Sequence, residues 1–493
     1  MKKVLKNLGI FIIIFISILP IILQKSISNL DEIWNYNTAR AIAEGLIPYK
    51  EVSMITTPFM HVLNAIILTV FSNHLITMRI IAVTISSLIL FFALKIFMKL
   101  SISKKVSVLA IFVIWYLHKD YFCIDYNYFT LFLLLIITYF ELNRKNETRK
   151  YNLLIGILCG ICILTKQTTG VLISGALVLY KTIILIYKKI NKRDNIKIDT
   201  RLLVFRILGI IISGIVFLVY LFATNSFNDF IGYCVKGITT FSNKKSYIDL
   251  ILNDENYMIS ILAVLVPISW ILMFIKLVKH KDENVLLILL ISLAEFIVVY
   301  PIADNIHFLI ASLPSVIGIV YLVNCEIENI EFSKKQQFVF ETICETGEIA
   351  IIVLILLSSF NKIMFDDDKE KYYSELNHFY GIEISEDLEN TIKEVDEYIG
   401  KSDSKVYILN ADAALYMIPL DRYNKNYDMF LNGNIGADGE EGQIENIKKE
   451  KAKYLIVKDG ISRNWQNPEN VRTYIKENLY KTGEIGYFDI YEN

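Results

Sequence analysis

The sequence predicts a polytopic α-helical membrane protein of about 11 transmembrane helices, followed by an extracytoplasmic α/β domain. The chain has 493 residues, of which 54% are hydrophobic and only 20% are charged, and its mean hydropathy is +0.44. Such a composition is too apolar for an ordinary soluble protein of this size. Its apolar residues are concentrated in separate runs, and the composition becomes polar abruptly near Met364. These three observations carry the fold prediction.

The apolar runs predict the membrane spans. Several of them are shorter than the roughly 20 residues that a helix needs to cross a bilayer, but flanking Trp, Tyr, Ser and Thr residues extend them. The first run follows a basic start, as in a signal peptide, but no small-residue cleavage pattern follows it, so we expect it to remain as an anchor. The runs are 8–23, 77–97, 106–115, 129–140, 153–164, 171–187, 202–222, 258–274, 285–299, 308–323 and 349–360.

Basic residues in short loops predict the orientation of the spans. They cluster before the first run and after every second one, at 2–6, 99–105, 144–150 and 188–201. Because such clusters mark the cytoplasmic side, the amino terminus is predicted to be cytoplasmic and the C-terminal domain extracytoplasmic. The net charge of -1, without an uncompensated basic patch, argues against a nucleic-acid partner.

Two domains are predicted, a transmembrane domain over 1–363 and a soluble domain over 364–493. The first outer loop, 25–75, is expected to hold helices that lie in the membrane interface, one of them over 58–71. In the soluble domain the pattern predicts strands, helices and an alternating α/β arrangement. The strands are 405–409, 454–457 and 486–491, and the helices are 388–399, 440–451 and 468–479.

Polar residues of complementary kinds lie in the predicted outer turns. We expect them to meet in one cavity, because helix ends that share a membrane face can converge although they are distant in sequence. A simpler structural explanation exists for several of them. Asp31 and Glu32 would be a solvated acid pair in the first loop, Lys166 would extend to the interface, and His307 would bond a neighbouring carboxylate. Glu295 lies deeper, within a span, where a pairing or pathway role is predicted. The outer residues are Asp31, Glu32, Asp125, Lys166, Gln167, Asp304 and His307.

The first outer loop resembles that of the GT-C glycosyltransferases that use polyprenyl-phosphate sugars, which include the protein O-mannosyltransferases and the lipid A aminoarabinose transferases. The likeness covers about the first 325 residues and continues through Asp125 and the turn at Lys166. In one respect the chain departs from the pattern: many relatives have a Lys before Pro58, whereas here the residue is Thr57. The matching residues of the loop are Asp31, Glu32, Ala39 to Ala43, Gly45, Pro48, Tyr49, Pro58 and Arg79.

The resemblance implies a membrane glycosyltransferase with a GT-C-like transmembrane domain. It would transfer a sugar, with inversion, from a polyprenyl-phosphate donor to an envelope glycan, lipid or protein at the outer face of the cytoplasmic membrane. Asp31 and Asp125 would be the catalytic residues, with Asp31 as the base, and Lys166 would bind the donor phosphate. The other residues expected to contact substrate are Glu32, Tyr49, Arg79, Gln167, Asp304 and His307.

The residues alone do not decide whether a cofactor is needed, and they leave two competing functions open. No cofactor is certain, but a divalent metal held by Asp31 and Glu32 would help to neutralise a leaving phosphate. A transporter would place charges or broken helices near the middle of the membrane and often shows internal repeats. A non-catalytic receptor or envelope assembly protein would tolerate replacement of Asp31.

Overall fold

The chain is described here from a computed structural model, which covers residues 2–27, 29–144, 147–190, 200–241, 245–252, 255–328, 330, 333–365, 371–424, 427–461 and 467–493. Four of the basic residues that predict the cytoplasmic side, Lys145, Lys192, Arg193 and Lys197, lie outside these ranges. The predicted domain boundary after residue 363 falls in the last turn of a long helix that ends at Phe365.

The described part of the first 365 residues is almost entirely helical. All the predicted apolar runs lie in helices, although the run 285–299 ends in a short 3-10 segment, Phe296–Val299. The helices are α1 (Lys2–Leu23), α2 (Leu30–Ala43), α3 (Phe59–Val70), α4 (Leu75–Lys99), α5 (Lys104–His118), α6 (Tyr126–Leu142), α7 (Arg149–Thr165), α8 (Gln167–Ile190), α9 (Arg201–Ala223), α10 (Phe227–Phe230), α11 (Tyr247–Leu252), α12 (Tyr257–His280), α13 (Glu283–Glu295), α14 (Asn305–Glu328) and α15 (Lys334–Phe365).

Six helices of the described chain are long and apolar enough to cross a membrane: α1, α4, α8, α9, α12 and α14. The protein is therefore a multi-pass helical membrane protein. The remaining apolar runs form helices that do not meet the same criteria of length and composition, so the total of about 11 spans stays a prediction.

Small residues set the closest helix contact in the bundle, between α7 and α9. A Cβ atom added at Gly156 would lie 2.0 Å from the carbonyl oxygen of Arg206, and one added at Gly209 would lie 2.4 Å from that of Leu153. Only glycine permits this approach, as is common where membrane helices pack closely. At the end of the bundle remote from Asp31, Arg206 is fully buried and pairs with Glu141 at 2.5 Å.

The predicted first outer loop contains two helices, α2 and α3. Asn29 begins α2, because its side chain accepts hydrogen bonds from the backbone N–H groups of Asp31 and Glu32 at 2.9 and 3.4 Å. This is the usual role of asparagine at a helix N-cap. Nine of the 14 residues of α2 are buried, so this short polar helix lies inside the protein.

The C-terminal region forms a four-stranded sheet with helices on both faces. Strands β1 (Lys405–Ile408), β2 (Ala452–Val457), β3 (Tyr480–Ile485) and β4 (Phe488–Glu492) are ordered β1-β2-β4-β3, and only the β1–β2 pair is parallel. Side chains of β2 alternate between the two faces, with Leu455 and Val457 on one and Tyr454 and Ile456 on the other. The helices are α16 (Glu386–Lys401), α17 (Ala413–Met417), α18 (Gly439–Lys449) and α19 (Glu469–Asn478).

Helix α2 also makes direct contacts with the C-terminal region. The indole N–H of Trp34 donates to the carbonyl oxygen of Ala411 at 2.6 Å, and the guanidinium of Arg40 donates to that of Arg422 at 2.8 Å. Arg40 also stacks over the ring of Tyr423 at 4.3 Å. The helix that carries Asp31 is therefore held between the bundle and the C-terminal sheet.

Candidate functional site

Adjacent acids at the start of α2 face different partners. Consecutive side chains on a helix are separated by about 100°. As a result, Glu32 points to α4 whereas Asp31 is directed to a cluster of polar groups. In α4, Arg79 donates to both carboxylate oxygens of Glu32, at 3.0 and 2.9 Å.

Arg79 is fully buried, and its remaining N–H groups are also occupied. It donates to the carbonyl oxygens of Leu23, Lys25 and Ser26 at 3.3, 2.6 and 3.4 Å, in the segment that joins α1 to α2. The sequence predicts that Arg79 and Glu32 contact substrate, but in the structure they bind each other and fix the start of α2. This geometry ties the start of α2, which carries Asp31, to α4; contact of Glu32 and Arg79 with substrate stays a prediction.

Asp31 interacts with four groups from other parts of the chain. Electrostatic interactions link Asp31 with Asp125, Lys166, Asp304 and His307. Each lies at a helix end: Asp31 in the first turn of α2, Asp125 at the N-cap of α6, Lys166 at the C-cap of α7, and Asp304 with His307 at the start of α14. We call these five residues the acid–base cluster. The structure thus brings together most of the predicted polar site.

Hydrogen bonds orient four members of the acid–base cluster. Asp125 caps α6, since one of its oxygens accepts from the N–H groups of Asn127 and Tyr128 at 2.7 and 3.3 Å. Lys166 donates to the side-chain oxygen of Asn127. Asp304 binds the Nδ1 atom of His307 at 2.7 Å. Asn127 is the partner that sequence reasoning missed, although its place two residues after a capping Asp is a recognisable position.

The surroundings raise the pKa values of Asp31 and Asp125 and lower that of Asp304. Burial and the neighbouring Asp125 raise the pKa of Asp31 to about 7, and burial also raises the pKa of Asp125. Burial alone would raise the pKa of Asp304, but the hydrogen bond and charge of His307 hold it below its ordinary value. Asp31 is therefore poised to accept a proton near neutral pH, while Asp304 stays ionised.

Lys166 belongs to the acid–base cluster and lies between helices α7 and α8. Burial lowers its pKa, whereas Asp125, Glu295 and Asp31 oppose that shift. Glu295 is fully buried at the end of α13, and neither of its carboxylate oxygens has a hydrogen-bond partner among the described residues. Lys166 thus lies among three carboxyl groups.

Two cavities reach this cluster. The first, here the Trp34 cavity, has a volume of about 560 Å³ and lies between the start of α2 and the C-terminal region; Asp31 lines it. The second, here the Lys245 cavity, has a volume of about 1070 Å³ and is lined by Asp304 together with residues of α11 and α12. Each of these cavities is thus lined by one acid of the acid–base cluster, Asp31 in the first and Asp304 in the second.

Tyr49 and Gln167, also predicted to bind substrate, make contacts within the protein. The hydroxyl of Tyr49 donates to the carbonyl oxygen of Thr56 at 3.0 Å, and its side chain is 1% exposed. The amide of Gln167 donates to the carbonyl oxygens of Ile55 and Cys234 at 2.8 and 3.3 Å. Both residues therefore hold the segment between α2 and α3 in place.

Thr57 occupies the position at which many GT-C enzymes of the resembling group have a lysine. Its hydroxyl donates to the carbonyl oxygen of Ile163 in α7 at 2.7 Å. This side chain ties the start of α3 to the bundle and brings no positive charge. Lys166, three residues after Ile163, is the cation available nearby.

A metal site at Asp31 and Glu32 is not supported by the geometry. In the described ranges, no three His, Cys, Asp or Glu side chains are grouped so that they could hold a metal ion. Glu32 is committed to Arg79. The two acids predicted to share a metal therefore face different surroundings, and a metal requirement stays a prediction.

The helical bundle, with the first-loop helices α2 and α3, shares its fold with solved structures of glycosyltransferases. The chain is similar to ArnT from Cupriavidus metallidurans bound to undecaprenyl phosphate, with a TM-score of 0.57, 10% identity, and coverage of 99% of this chain and 98% of that one.

Two further structures share the fold. The archaeal oligosaccharyltransferase AglB from Archaeoglobus fulgidus, in complex with an inhibitory peptide and a dolichol-phosphate, gives a TM-score of 0.52 at 12% identity over 92% of this chain and 70% of that one. The arabinofuranosyltransferase AftD from Mycobacteria gives 0.51 at 10% identity over 99% of this chain and 39% of that one. No protein-family model and no curated sequence matches the chain.

Proposed function

We propose that this protein is a membrane glycosyltransferase that transfers a sugar from a polyprenyl-phosphate donor to an acceptor hydroxyl at the outer face of the cytoplasmic membrane. The observation that carries the proposal is the acid–base cluster, in which Asp31, with a pKa of about 7, interacts with Lys166 and His307. The similar structures support the donor class, since two of them hold undecaprenyl phosphate and dolichol-phosphate.

In the proposed reaction, the acceptor oxygen attacks the anomeric carbon of the sugar. Its proton passes to the carboxylate of Asp31 as the new C–O bond forms. The bond between the anomeric carbon and the phosphate oxygen breaks, and its electron pair leaves with the phosphate. A single displacement of this kind inverts the configuration at that carbon.

The raised pKa makes Asp31 a stronger base than an ordinary Asp, whose pKa is about 3.9. General bases work best when their pKa is close to the operating pH. Lys166 would neutralise the leaving phosphate. Asp304 would orient the imidazole of His307 through Nδ1, which directs the other ring nitrogen to the substrate. The negative charge of Asp125 would keep the pKa of Asp31 raised. No step uses a metal ion.

The position of the polar groups favours a transferase over a transporter. A transporter is expected to carry its charged residues near the middle of broken spans. Here the four carboxyl and basic groups that interact with Asp31 lie at helix ends. That placement suits a reaction at the membrane surface, where a lipid-borne donor and a water-borne or lipid-borne acceptor can both arrive.

Lys166→Ala should weaken the use of the donor. A hydrogen bond to a charged group contributes about 1.5–3 kcal/mol, so the KM for the donor should rise on the order of 10- to 100-fold. The measurement is the release of polyprenyl phosphate from a panel of polyprenyl-phosphate sugars by the purified full chain in lipid vesicles.

Lys119→Ala is the matched control, because Lys119 also follows a helix end but pairs with Asp120 outside the acid–base cluster. Its donor KM should stay within a factor of about two of wild type, because the pair lies outside the acid–base cluster and Asp120 is exposed. Equal donor KM values for Lys166→Ala and wild type would contradict the phosphate role. No donor consumption by wild type with any member of the panel would contradict the glycosyltransferase proposal.

The proposed orientation can be tested by labelling single cysteines in a cysteine-free background with an impermeant reagent. Asn146→Cys, in a predicted cytoplasmic loop, should be protected in intact cells. Tyr480→Cys should react, because Tyr480 is 79% exposed in the C-terminal region that we place outside. The reverse labelling pattern would invert the proposed topology.

A further inference from the structure

The two proposed catalytic acids stand on different segments of the chain, and one side chain bonds the main chain beside both of them. Asp31 lies in the first turn of α2, and Asp125 follows the non-helical segment 119–124 at the N-cap of α6. The side-chain amide of Asn35 donates to the carbonyl oxygen of Asp31 at 2.6 Å and to that of Ile124 at 3.1 Å. Because Ile124 directly precedes Asp125, Asn35 bridges the main chains that carry the two acids.

The side chain of Asn35 is committed to this bridge. An asparagine amide has two N–H donors, and the carbonyl oxygens of Asp31 and Ile124 take both. The residue is 3% exposed, so it lies beneath the acids and away from any substrate. On the other side, the ring of His61 in α3 bonds the main chain of Asn35. Any influence of Asn35 on the reaction must therefore pass through the two acids.

A second side chain ties the same two segments together. The ammonium of Lys25 donates to the carbonyl oxygens of Asp120 and Phe122, both at 2.8 Å. The main chain before α6 thus offers the carbonyl oxygens of positions 120, 122 and 124 to the first outer loop. Lys25 precedes α2, whereas Asn35 lies in α2 one turn after Asp31. Asn35 is therefore the restraint closer to both acids.

The separation of the two acids has an electrostatic consequence. Two carboxylates at short range oppose each other's ionisation. After burial, the charge of Asp125 is the largest influence that raises the pKa of Asp31. The same repulsion pushes the two segments apart. The Asn35 bridge opposes that separation with neutral N–H groups, so it adds no charge to the acid–base cluster.

We propose that Asn35 is a positioning residue that sets the separation of Asp31 and Asp125. This inference rests on the proposed function, which assigns catalysis to these two acids. Asn35 holds the start of α6 against α2, so that the proposed base keeps its like-charged neighbour. A purely structural asparagine would only satisfy the buried carbonyl oxygen of Ile124, and its loss would change stability without changing the titration of Asp31.

Asn35→Ser and Asn35→Leu remove the bridge in different ways. A serine hydroxyl in a helix donates to the carbonyl oxygen four residues earlier, so Asn35→Ser keeps a bond to Asp31 and loses the one to Ile124. Asn35→Leu, which is of similar size, loses both bonds. Asn35→Ser decides the question if Asn35→Leu does not fold, because it keeps the bond within α2.

The measurement is the pH at which the Asp31 carboxyl is half protonated, in the full chain in detergent. It is followed through the infrared C=O band of the protonated acid, which is assigned by its absence from Asp31→Asn. In wild type this midpoint should be about 7. Without the bridge, repulsion separates the acids, so the midpoint should fall by about one pH unit in both variants.

Sugar transfer by the two variants should change in parallel. Since a small displacement of a catalytic group can lower a rate by about 100-fold, kcat should fall on the order of 10- to 100-fold. The rising limb of kcat/KM against pH should move to lower pH together with the infrared midpoint.

Asn37→Ser is the matched control, because Asn37 is another buried asparagine of α2, 2% exposed, whose side chain accepts from Arg40 at 3.3 Å. It should lose stability and keep the wild-type midpoint. An unchanged or raised midpoint in Asn35→Ser, or an equal fall in Asn37→Ser, would overturn the inference. Failure of wild type to consume any donor would instead contradict the proposed function, since the infrared midpoint is measured without turnover.

Discussion

Asp31→Asn should lower the rate of sugar transfer about 100-fold or more while the protein stays folded and inserted. Loss of a general base typically costs a factor of 10² to 10⁴. Asparagine has nearly the same shape as aspartate, and the Asn29 cap uses the backbone N–H of Asp31 rather than its side chain. The measurement is kcat/KM for transfer from the donor, at equal amounts of inserted protein.

Asp120→Asn is the matched control for this prediction, because Asp120 is an exposed acid outside the acid–base cluster. It should retain near-normal activity. Similar activity of Asp31→Asn and wild type would remove Asp31 from the mechanism and favour the receptor or assembly reading of the chain.

The pH dependence of kcat/KM should also report the ionisation of Asp31. Since the reaction needs the unprotonated carboxylate and the pKa of Asp31 is about 7, kcat/KM should rise with pH, about tenfold per unit below pH 7, and level off above it. The rising limb should disappear from the residual activity of Asp31→Asn. A profile flat from pH 5 to 8 in wild type would contradict the assignment.

Arg79→Met should destabilise the protein by about 3–5 kcal/mol, the usual cost of removing one partner of a buried ion pair. Both side chains are almost fully buried, and the substitution leaves the Glu32 carboxylate and three carbonyl oxygens without their donor. The measurement is the free energy of unfolding in detergent, or the shift in the thermal midpoint where unfolding is irreversible.

Arg79→Lys distinguishes positioning from phosphate binding. A lysine keeps the charge but lacks the planar fork that reaches two carboxylate oxygens at once. If the pair positions α2, Arg79→Lys should still lower both stability and kcat. If Arg79 bound the donor phosphate, the lysine variant would be as stable as wild type and would show only a raised donor KM.

The helical part of the fold could be predicted because the apolar residues are concentrated in separate continuous runs. Sequence patterns also located strands near β1, β2 and β4, where apolar residues are concentrated. Strand β3 was missed, since Tyr480 to Ile485 lies at the sheet edge, has no buried residue and no alternating pattern, and depends on pairing with β4. Pairing between strands depends on tertiary contacts, which no local pattern contains.

The candidate site, like the fold, could be predicted from the sequence only in part. Asp31, Asp125, Lys166 and His307 could be selected, because charged residues at the ends of apolar helices are costly without a use or a partner. The different surroundings of Asp31 and Glu32 could not be predicted, since they depend on which face of α2 contacts Arg79. The asparagines and tyrosines of the C-terminal region were also missed, because only the folded structure brings them next to the first loop.

The contacts between the first loop and the C-terminal region have a consequence for how this protein can change over evolutionary time. On the C-terminal side, main-chain carbonyl oxygens of Ala411, Arg422, His378 and Glu383 accept the hydrogen bonds from Trp34, Arg40, and the backbone of Leu75 and Ile27. Every residue type supplies such an oxygen. These four hydrogen bonds therefore do not depend on the residue types at positions 378, 383, 411 and 422, so substitutions there leave in place the main-chain acceptors that tie the first loop to the C-terminal region.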